Sequence, residues 1–378
     1  MSTVTTPPLD LSPRVHSFNA LDFDAPTGRE EEWRFSPVEG LRKFFVLDEQ
    51  AGSVIGTAVG SGSQLLTVIP HAEIPTRSIP SDLPSAVARA GVRQGNLIAI
   101  PAEAQLVEPI VVDLVSTTPQ SYQHVEIVAG AFSTATVVLR QQLSGDVNGT
   151  ISATVGDGAQ LTVITVLEGE LTPAYAMHMP VFVGRDAAYV GALAALAGGA
   201  VRINATVEYL STGGKAELLG AFLAETGQHI EQRVFVEHVQ PHCISDVLYK
   251  GALMSPGARS AWIGDVLVRK TALGTDTHQV NRNLLLSEGA RADSVPNLEL
   301  ETGEIVRAGH ASATGRFDDE QLFYLQSRGL PLDVARQLVV RGFFAEVLSR
   351  MGNAAWSDIL LAQISERLGI TVSDDNDE

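Results

Sequence analysis

Between residues 96 and 270 the chain repeats one texture, short apolar and β-branched runs separated by Gly, Asp and Asn: NLIAIP, PIVVDLV, HVEIVAG, TATVVLR, NGTISATV, AQLTVITVLEG, VRINATVEYL, QRVFVEHV and ARSAWIGDVLVRK. Such runs predict strands in succession. The turn-like pieces VGDGAQ, VGRDAA, STGGKAE and MSPGARS each lead into a new apolar run, so coils of similar size recur without a strict consensus. A sandwich or barrel closed by hairpins and a solenoid with stacked side-chain ladders both fit this texture. Two-residue Asn-Gly and Asp-Gly hairpin loops do not set its rhythm, which favours the solenoid.

The flanks follow a different period. GREEEWRFSPVEGLRKFF, residues 28–45, mixes charged and apolar residues at helical spacing, and Pro-rich turns such as EIPTRSIPSDLP follow, predicting a mixed helical region that ends near residue 95. After Gly329 the helical period returns. Pro331 suits a first turn, Leu332, Ala335, Val339, Phe343 and Val347 share one stripe, and Met351-Gly352-Asn353 supplies a stop. A second helix fits 357–368, capped by Ser357 or Asp358, with Leu360, Ile364 and Leu368 on one face and Gly369 beyond its end. Amphipathic helices of this kind either cap a solenoid or dock in a partner's groove. Residues 1–12 and the tail SDDNDE read as solvated segments. The expected division is therefore a mixed helical region at 1–95, a β core at 96–315 and a helical region with an acidic tail at 316–378.

Composition narrows the function. The chain has 378 residues, 45% of them hydrophobic, enough for a large core, and a formal charge of −18 that disfavours binding to nucleic acid. Its single cysteine, Cys243, excludes a disulfide framework and an all-Cys metal site within one chain. The N-terminus has no basic and apolar leader pattern, and the most apolar run, AAYVGALAALAGGAV, is too short and too glycine-broken to span a bilayer. The expectation is a cytoplasmic protein without membrane contact.

Motifs for nucleotide, serine-hydrolase and zinc-protease chemistry are missing. STGGKAELLG lacks the earlier Gly of a phosphate loop and has Ala216 where a hydroxyl should bind magnesium, so no ATP site is expected. Three weaker signals remain. His238, His242, Cys243 and Asp246 lie close enough in sequence to hold a transition metal, though such side chains also fill turns between strands. Asp318, Asp319 and Glu320 could act as the acid and base of a glycosidase, but three acids before QLFYL also make the first turn of a helix. His310, in RAGHASATG, sits among small residues that let another surface approach, and it could ligate iron or remain a surface His.

Four stretches together resemble one family: EEEWRFSP at 30–37, HVQPHCISDVLYKGAL at 238–253, THQVNRNLLLSEGARADSVPNLEL at 277–300 and GHASATGRFDDEQLFYLQSRGL at 309–330. They are similar to the SufB/SufD scaffold proteins of the Suf iron–sulfur cluster assembly machinery. The resemblance implies a right-handed parallel β-helix core with helical parts at both ends. It also implies a scaffold without enzymatic activity of its own, pairing with a second scaffold subunit through the β-helix and holding the SufC ATPase through the C-terminal helices. A transient iron–sulfur cluster or iron then forms at the scaffold interface. FADH2 is associated with the assembled complex, and no motif in this sequence marks a flavin site.

Within the family, Ala290 and Ala311 stand where the SufB side carries a cysteine and a glutamate, which places this chain nearer SufD; Ala308 stands where some SufD proteins carry another cysteine. His310 is then the position that the resemblance makes an iron or cluster ligand. Leu332, Ala335, Val339, Phe343, Val347, Leu360 and Ile364 become the expected SufC-facing stripe. An unpaired strand edge would also let the isolated chain form a homodimer. Two alternatives stay open, the SufB paralogue and a β-helix enzyme acting on polysaccharide; 6% aromatic content offers the latter little to stack on sugars.

Overall fold

The computed structural model describes residues 15–116, 118–316 and 319–368. Nineteen strands make up most of it. They are β1 (Gly52–Ser53), β2 (Gly56–Val59), β3 (Leu66–Pro70), β4 (Gln94–Ile100), β5 (Ile110–Val115), β6 (Gln120–Ala129), β7 (Thr134–Leu143), β8 (Asp146–Val155), β9 (Gln160–Gly169) and β10 (Ala174–Val183). Then follow β11 (Ala188–Ala195), β12 (Ala200–Tyr209), β13 (Lys215–Ala224), β14 (His229–His238), β15 (Ile244–Leu253), β16 (Arg259–Val268), β17 (Thr275–Leu285), β18 (Arg291–Leu300) and β19 (Ile305–Gly315).

Even-numbered strands from β4 to β18 stack in parallel in one sheet, here sheet A, and odd-numbered strands from β5 to β19 in the other, sheet B. The chain therefore winds as a β-solenoid of about eight turns. Tyr122 pairs with Asn148, and the same ladder runs on through Ala176, Arg202, Glu231, Ala261 and Asp293. Inward positions such as Val125, Ile151, Val163, Ile203, Leu218, Val247 and Val266 fill one continuous apolar core. All nine runs predicted as strands are strands, and the four turn-like pieces lie between them.

The N-terminal end is closed. There β3 pairs antiparallel with β4, and β2 antiparallel with β5, so each sheet begins with a reversed strand. The region before residue 95 is thus not only helical: it contributes three short strands, the helical spacing at 28–45 is realised as the one-turn helix α1 (Val38–Leu41) between short 3-10 turns, and α2 (Leu83–Gly91) follows. Asp82 and Ser85 form a reciprocal capping box that starts α2, satisfying amides that would otherwise be orphaned.

Three helices follow the solenoid: α3 (Asp319–Ser327), α4 (Leu332–Leu348) and α5 (Ala354–Arg367). Pro331 precedes α4, as its fixed φ predicts. The second helix begins earlier than expected. Gly352 adopts a φ of +72°, and Asn353, read as part of the stop, accepts from the Trp356 amide as the N-cap of α5, displacing Ser357 and Asp358 from that role. An Asn side chain competes well for such a cap.

Both α4 and α5 lie on the outer face of sheet B. Val340, Phe344, Val347, Leu348, Leu360 and Ile364 pack there against Ile164, Val166, Leu196, Leu219, Leu223 and Leu248. This second core explains AAYVGALAALAGGAV: β11 is covered on both sides, inward by the solenoid core and outward by the helices, so it needs apolar residues at nearly every position. Among the described residues no helix is long and apolar enough to cross a membrane.

Candidate functional site at the open end of the solenoid

At the C-terminal end the two sheets finish on β18 and β19, which have no outer neighbour among the described strands. The contrast with the strand before is sharp: nine of the ten residues of β16 are buried, whereas none in β18 or β19 is. Unpaired backbone groups along such an edge are a template for another strand.

His310 sits on β19, exposed, paired in register with Gln279 of β17. Because Gln279 faces the solenoid axis, His310 does too, and it lies at the mouth of the last coil. Ala311, the next residue, pairs with Val280 on the outer side. Ala290 packs against the margin of the apolar core. Gly309 lies close against β17, where a Cβ would meet His278 at 3.3 Å. The small residues around His310 therefore do leave the imidazole accessible, as the sequence pattern suggested.

The other candidates disperse. His238 ends β14 and is buried, its Nε2 2.9 Å from Ser245 Oγ and its ring stacked on Tyr209 at 4.8 Å. Desolvation pushes its imidazole down to about 4, so it stays neutral. His242 lies in the following turn with φ +59°, packed over Gly274, so the two His do not share a strand face. Cys243 is buried, and burial raises its thiol. Asp246 pairs with Arg350 at 3.2 Å. Among the described residues no three His, Cys, Asp or Glu side chains converge on a metal-sized point. Asp318 lies outside the described residues, while Asp319 and Glu320 open α3, the helix-start arrangement weighed against acid–base chemistry.

The stripe on the C-terminal helices divides. Val347, Leu360 and Ile364 are fully buried against the chain's own sheet B, and Ala335 is fully buried as well. Val339 and Phe343 are half-buried, and Leu332 is exposed. The apolar residues that α3, α4 and α5 leave to solvent are others: Phe323, Tyr324, Leu338 and Ile359, besides Leu332. Sequence periodicity found an apolar face but could not say whether this chain or a partner covers it.

One centre was missed. Arg202, on β12, is buried on the outer face of sheet A and bonds Glu231 (2.6 Å), Glu32 (3.1 Å), Asp82 (3.3 Å) and Ser36 (3.0 Å), with its guanidinium 3.8 Å over the Trp33 ring. Burial alone would weaken that charge, yet Glu231, Asp82 and Glu32 hold it firmly protonated. For Asp82 burial would raise the carboxyl, and Arg202 with the Ser85 bonds brings it below its ordinary value. EEEWRFSP is thus an anchor: Glu32, Trp33 and Ser36 strap the N-terminal segment to the solenoid. The only signal available in the sequence was that conspicuous motif, with its partner 170 residues away.

That anchor also bears on the polysaccharide alternative. A cleft of about 300 Å³ beside it is lined by Asp22, Asp24, Glu30, Glu32, Asp82 and Trp33. However, Asp82 and Glu32 are engaged by Arg202, and the Trp33 face that would stack a sugar is occupied by the same guanidinium.

The chain is thus a parallel β-solenoid closed at one end by reversed strands, ending at the other on strands without an outer neighbour among the described residues, and covered by its own terminal segments along both faces. Residues 113–343 match the family model described as the SufBD core domain of SUF system FeS cluster assembly. The chain belongs to the SufBD family of iron–sulfur cluster assembly proteins. It is 40% identical over 377 residues to a SufBD family iron–sulfur cluster assembly protein of Mycobacterium tuberculosis, covering 94% of this chain and 93% of that one. A Mycobacterium leprae relative of the same description is 39% identical, covering 94% of each chain. The SufD of Escherichia coli is 24% identical, covering 91% of this chain and 89% of that protein.

Proposed function

We propose that this chain is the SufD-type subunit of a Suf scaffold, a non-catalytic partner that joins a SufB-type solenoid end to end and contributes one imidazole to the iron–sulfur cluster that forms there. The observation that carries this reading is the open last coil, where the edge strand β19, paired on its inner side only among the described strands, presents His310. A lone imidazole fits iron as one ligand among several, so the thiolates come from the partner. ATP hydrolysis belongs to a SufC-type ATPase, and the reduced flavin to the assembled complex. In this reading the compartment is the cytoplasm.

The C-terminal helices are the proposed ATPase-docking region. Since Ala335, Val347, Leu360 and Ile364 already serve the chain's own packing, docking falls to Leu332, Leu338, Ile359, Phe323 and Tyr324, with the partly exposed Val339 and Phe343 at its margin. Removing the helices whole would uncover the apolar face of sheet B, so the sharper test is Leu338→Glu with Ile359→Glu. Loss of ATPase co-purification with an unchanged melting temperature is the expected result, and retained binding refutes the assignment.

The central test is co-expression with the SufB-type and SufC-type proteins of the same organism, then anaerobic absorption spectroscopy of the purified complex. His310→Ala is expected to leave the complex assembled and to lower its cluster absorbance. Unchanged absorbance removes His310 from the site, and absence of any complex removes the scaffold reading. A stable homodimer of the isolated chain that dissociates when the SufB-type partner is added would place both pairings on the same edge.

A further inference from the structure

The N-terminal cover does not close over the whole of sheet A. Between it and strands β10, β12 and β14 lies a cavity of about 170 Å³, which shares only Ser81 with the cleft beside Trp33. Its floor follows from the register. Phe182, Glu208 and Glu237 stand side by side across the three strands, and Pro180, Thr206 and Phe235 form the neighbouring row, while Val181, Val183 and Val207 between them point into the core. The opposite wall belongs to the cover, which brings His16, Arg77 and Ile79 over those rows.

The charges in this cavity are incompletely matched. Glu208 and Glu237 are directly opposite one another on adjacent strands, where like charges repel. Glu237 is answered by Arg269, whose Nε donates to it at 2.7 Å. Glu208 has no such partner: among the described residues its carboxylate makes no hydrogen bond or ion pair, and neither does the Arg77 guanidinium on the facing wall. The two groups nevertheless act on each other across the gap. Desolvation, with Glu237 adding to it, holds the Glu208 carboxyl above its ordinary value against the opposing pull of Arg77 and His16. Glu208, Arg77 and His16 are all exposed, so a molecule entering from solvent reaches them.

We propose that this cavity binds a small zwitterion of the α-amino acid type, with its ammonium on Glu208, its carboxylate on Arg77 and its apolar body on Phe182, Pro180 and Ile79. A simple cation would meet the repulsion of Arg77, and a simple anion that of Glu208 and Glu237; one molecule carrying both charges a few bonds apart offsets both. A guanidinium is also the side chain whose fork matches a carboxylate. Size points the same way, because the volume lies below the roughly 300–1,000 Å³ of sites for drug-sized ligands and exceeds the share of a single water. Such a ligand touches the cover and the sheet at once, so its binding fastens one to the other. The site lies on the middle coils and stands apart from the scaffold reading and from His310.

Calorimetric titration of the full chain tests the site, after the common protein amino acids have been screened for a rise in melting temperature, with leucine as the reference probe. Binding with a dissociation constant on the order of 1 mM is expected, and a melting temperature that climbs with ligand concentration. Leucinamide, which keeps only the cation, and 4-methylpentanoate, which keeps only the anion, should each bind at least about tenfold more weakly. Glu208→Gln and Arg77→Gln, at exposed positions where the fold tolerates change, should each weaken the amino acid by about tenfold. His310→Ala should leave binding unchanged. No response to any amino acid, an analogue of single charge that binds as well as the zwitterion, or binding undiminished in both variants overturns the proposal.

Discussion

The two faces of the solenoid are covered in opposite ways. Over sheet A the N-terminal segment is fastened by buried polar groups: the Arg202 cluster, and a second group in which His71 Nε2 lies 2.9 Å from both Arg89 Nη1 and His124 Nδ1, which are themselves 3.4 Å apart. His124 continues it to Glu126 at 3.3 Å. Over sheet B, α4 and α5 bury leucines, phenylalanines and valines, the ion pairs of Arg350 with Glu217 at 2.7 Å and of Arg367 with Glu225 sit around them, and one buried ammonium, Lys250, reaches Glu346 from beneath. A buried polar fastening is specific but intolerant of losing one partner, whereas an apolar one tolerates the loss of a single rim charge. The sheet A cover thus depends on a buried charge cluster, and the sheet B cover, apart from Lys250, on apolar area.

The largest way to break this comparison is Arg202→Met. It strands Glu231 and Asp82 as buried unpaired carboxylates, and a loss of about 3–5 kcal/mol in denaturant unfolding is expected. An effect below about 1 kcal/mol would mean that the anchor is solvated. Lys250→Met comes next. Lys250 Nζ donates to the Phe343 carbonyl at 2.7 Å and to Glu346, so about 1.5–3 kcal/mol is expected. Hydrogen exchange should quicken in α4 and leave the sheet A cover unchanged; equal acceleration in both covers would contradict their independence.

Acid sharpens the same contrast. Desolvation, with the charges of Arg89 and His124, lowers His71 from 6.5 to about 3. Between those values the unfolded chain binds the extra proton, so this contribution is complete above about pH 6.5 and is lost as the pH falls toward 3. The lowered Asp82 acts in the same direction, its contribution present above the unfolded carboxylate value and lost as the pH falls through its folded one. Stability measured from pH 7 to pH 4 should therefore decline, and His71→Gln should flatten the decline. A wild-type slope retained in the variant would assign the acid sensitivity elsewhere. The smallest expected effect is that of His310→Ala on folding, within about 0.5 kcal/mol, because the side chain is exposed and belongs to neither cover. A larger loss would make His310 a structural residue of the last coil.

Much of this was legible in the chain. The alternating short runs specified strands because a side chain on a strand points alternately to two environments. Pro331 and Gly352 marked helix limits because their backbones permit little else or uniquely much. His310 stood out through its small neighbours. Asn353 was misjudged because stop and start signals overlap in one tight connection. Arg202 was invisible because a lone arginine in VRINATVEYL carries no sign of the carboxylates that surround it.

Sequence by itself determined the local periods, the coil rhythm, the family and the position of the exposed histidine, since each depends on residues near one another along the chain. Only tertiary structure decided which apolar stripe is covered, which carboxylates are paired and that the WRF segment is a strap. Those properties depend on residues tens to hundreds of positions apart, brought together by the winding of the solenoid, and no local pattern encodes the register that aligns them.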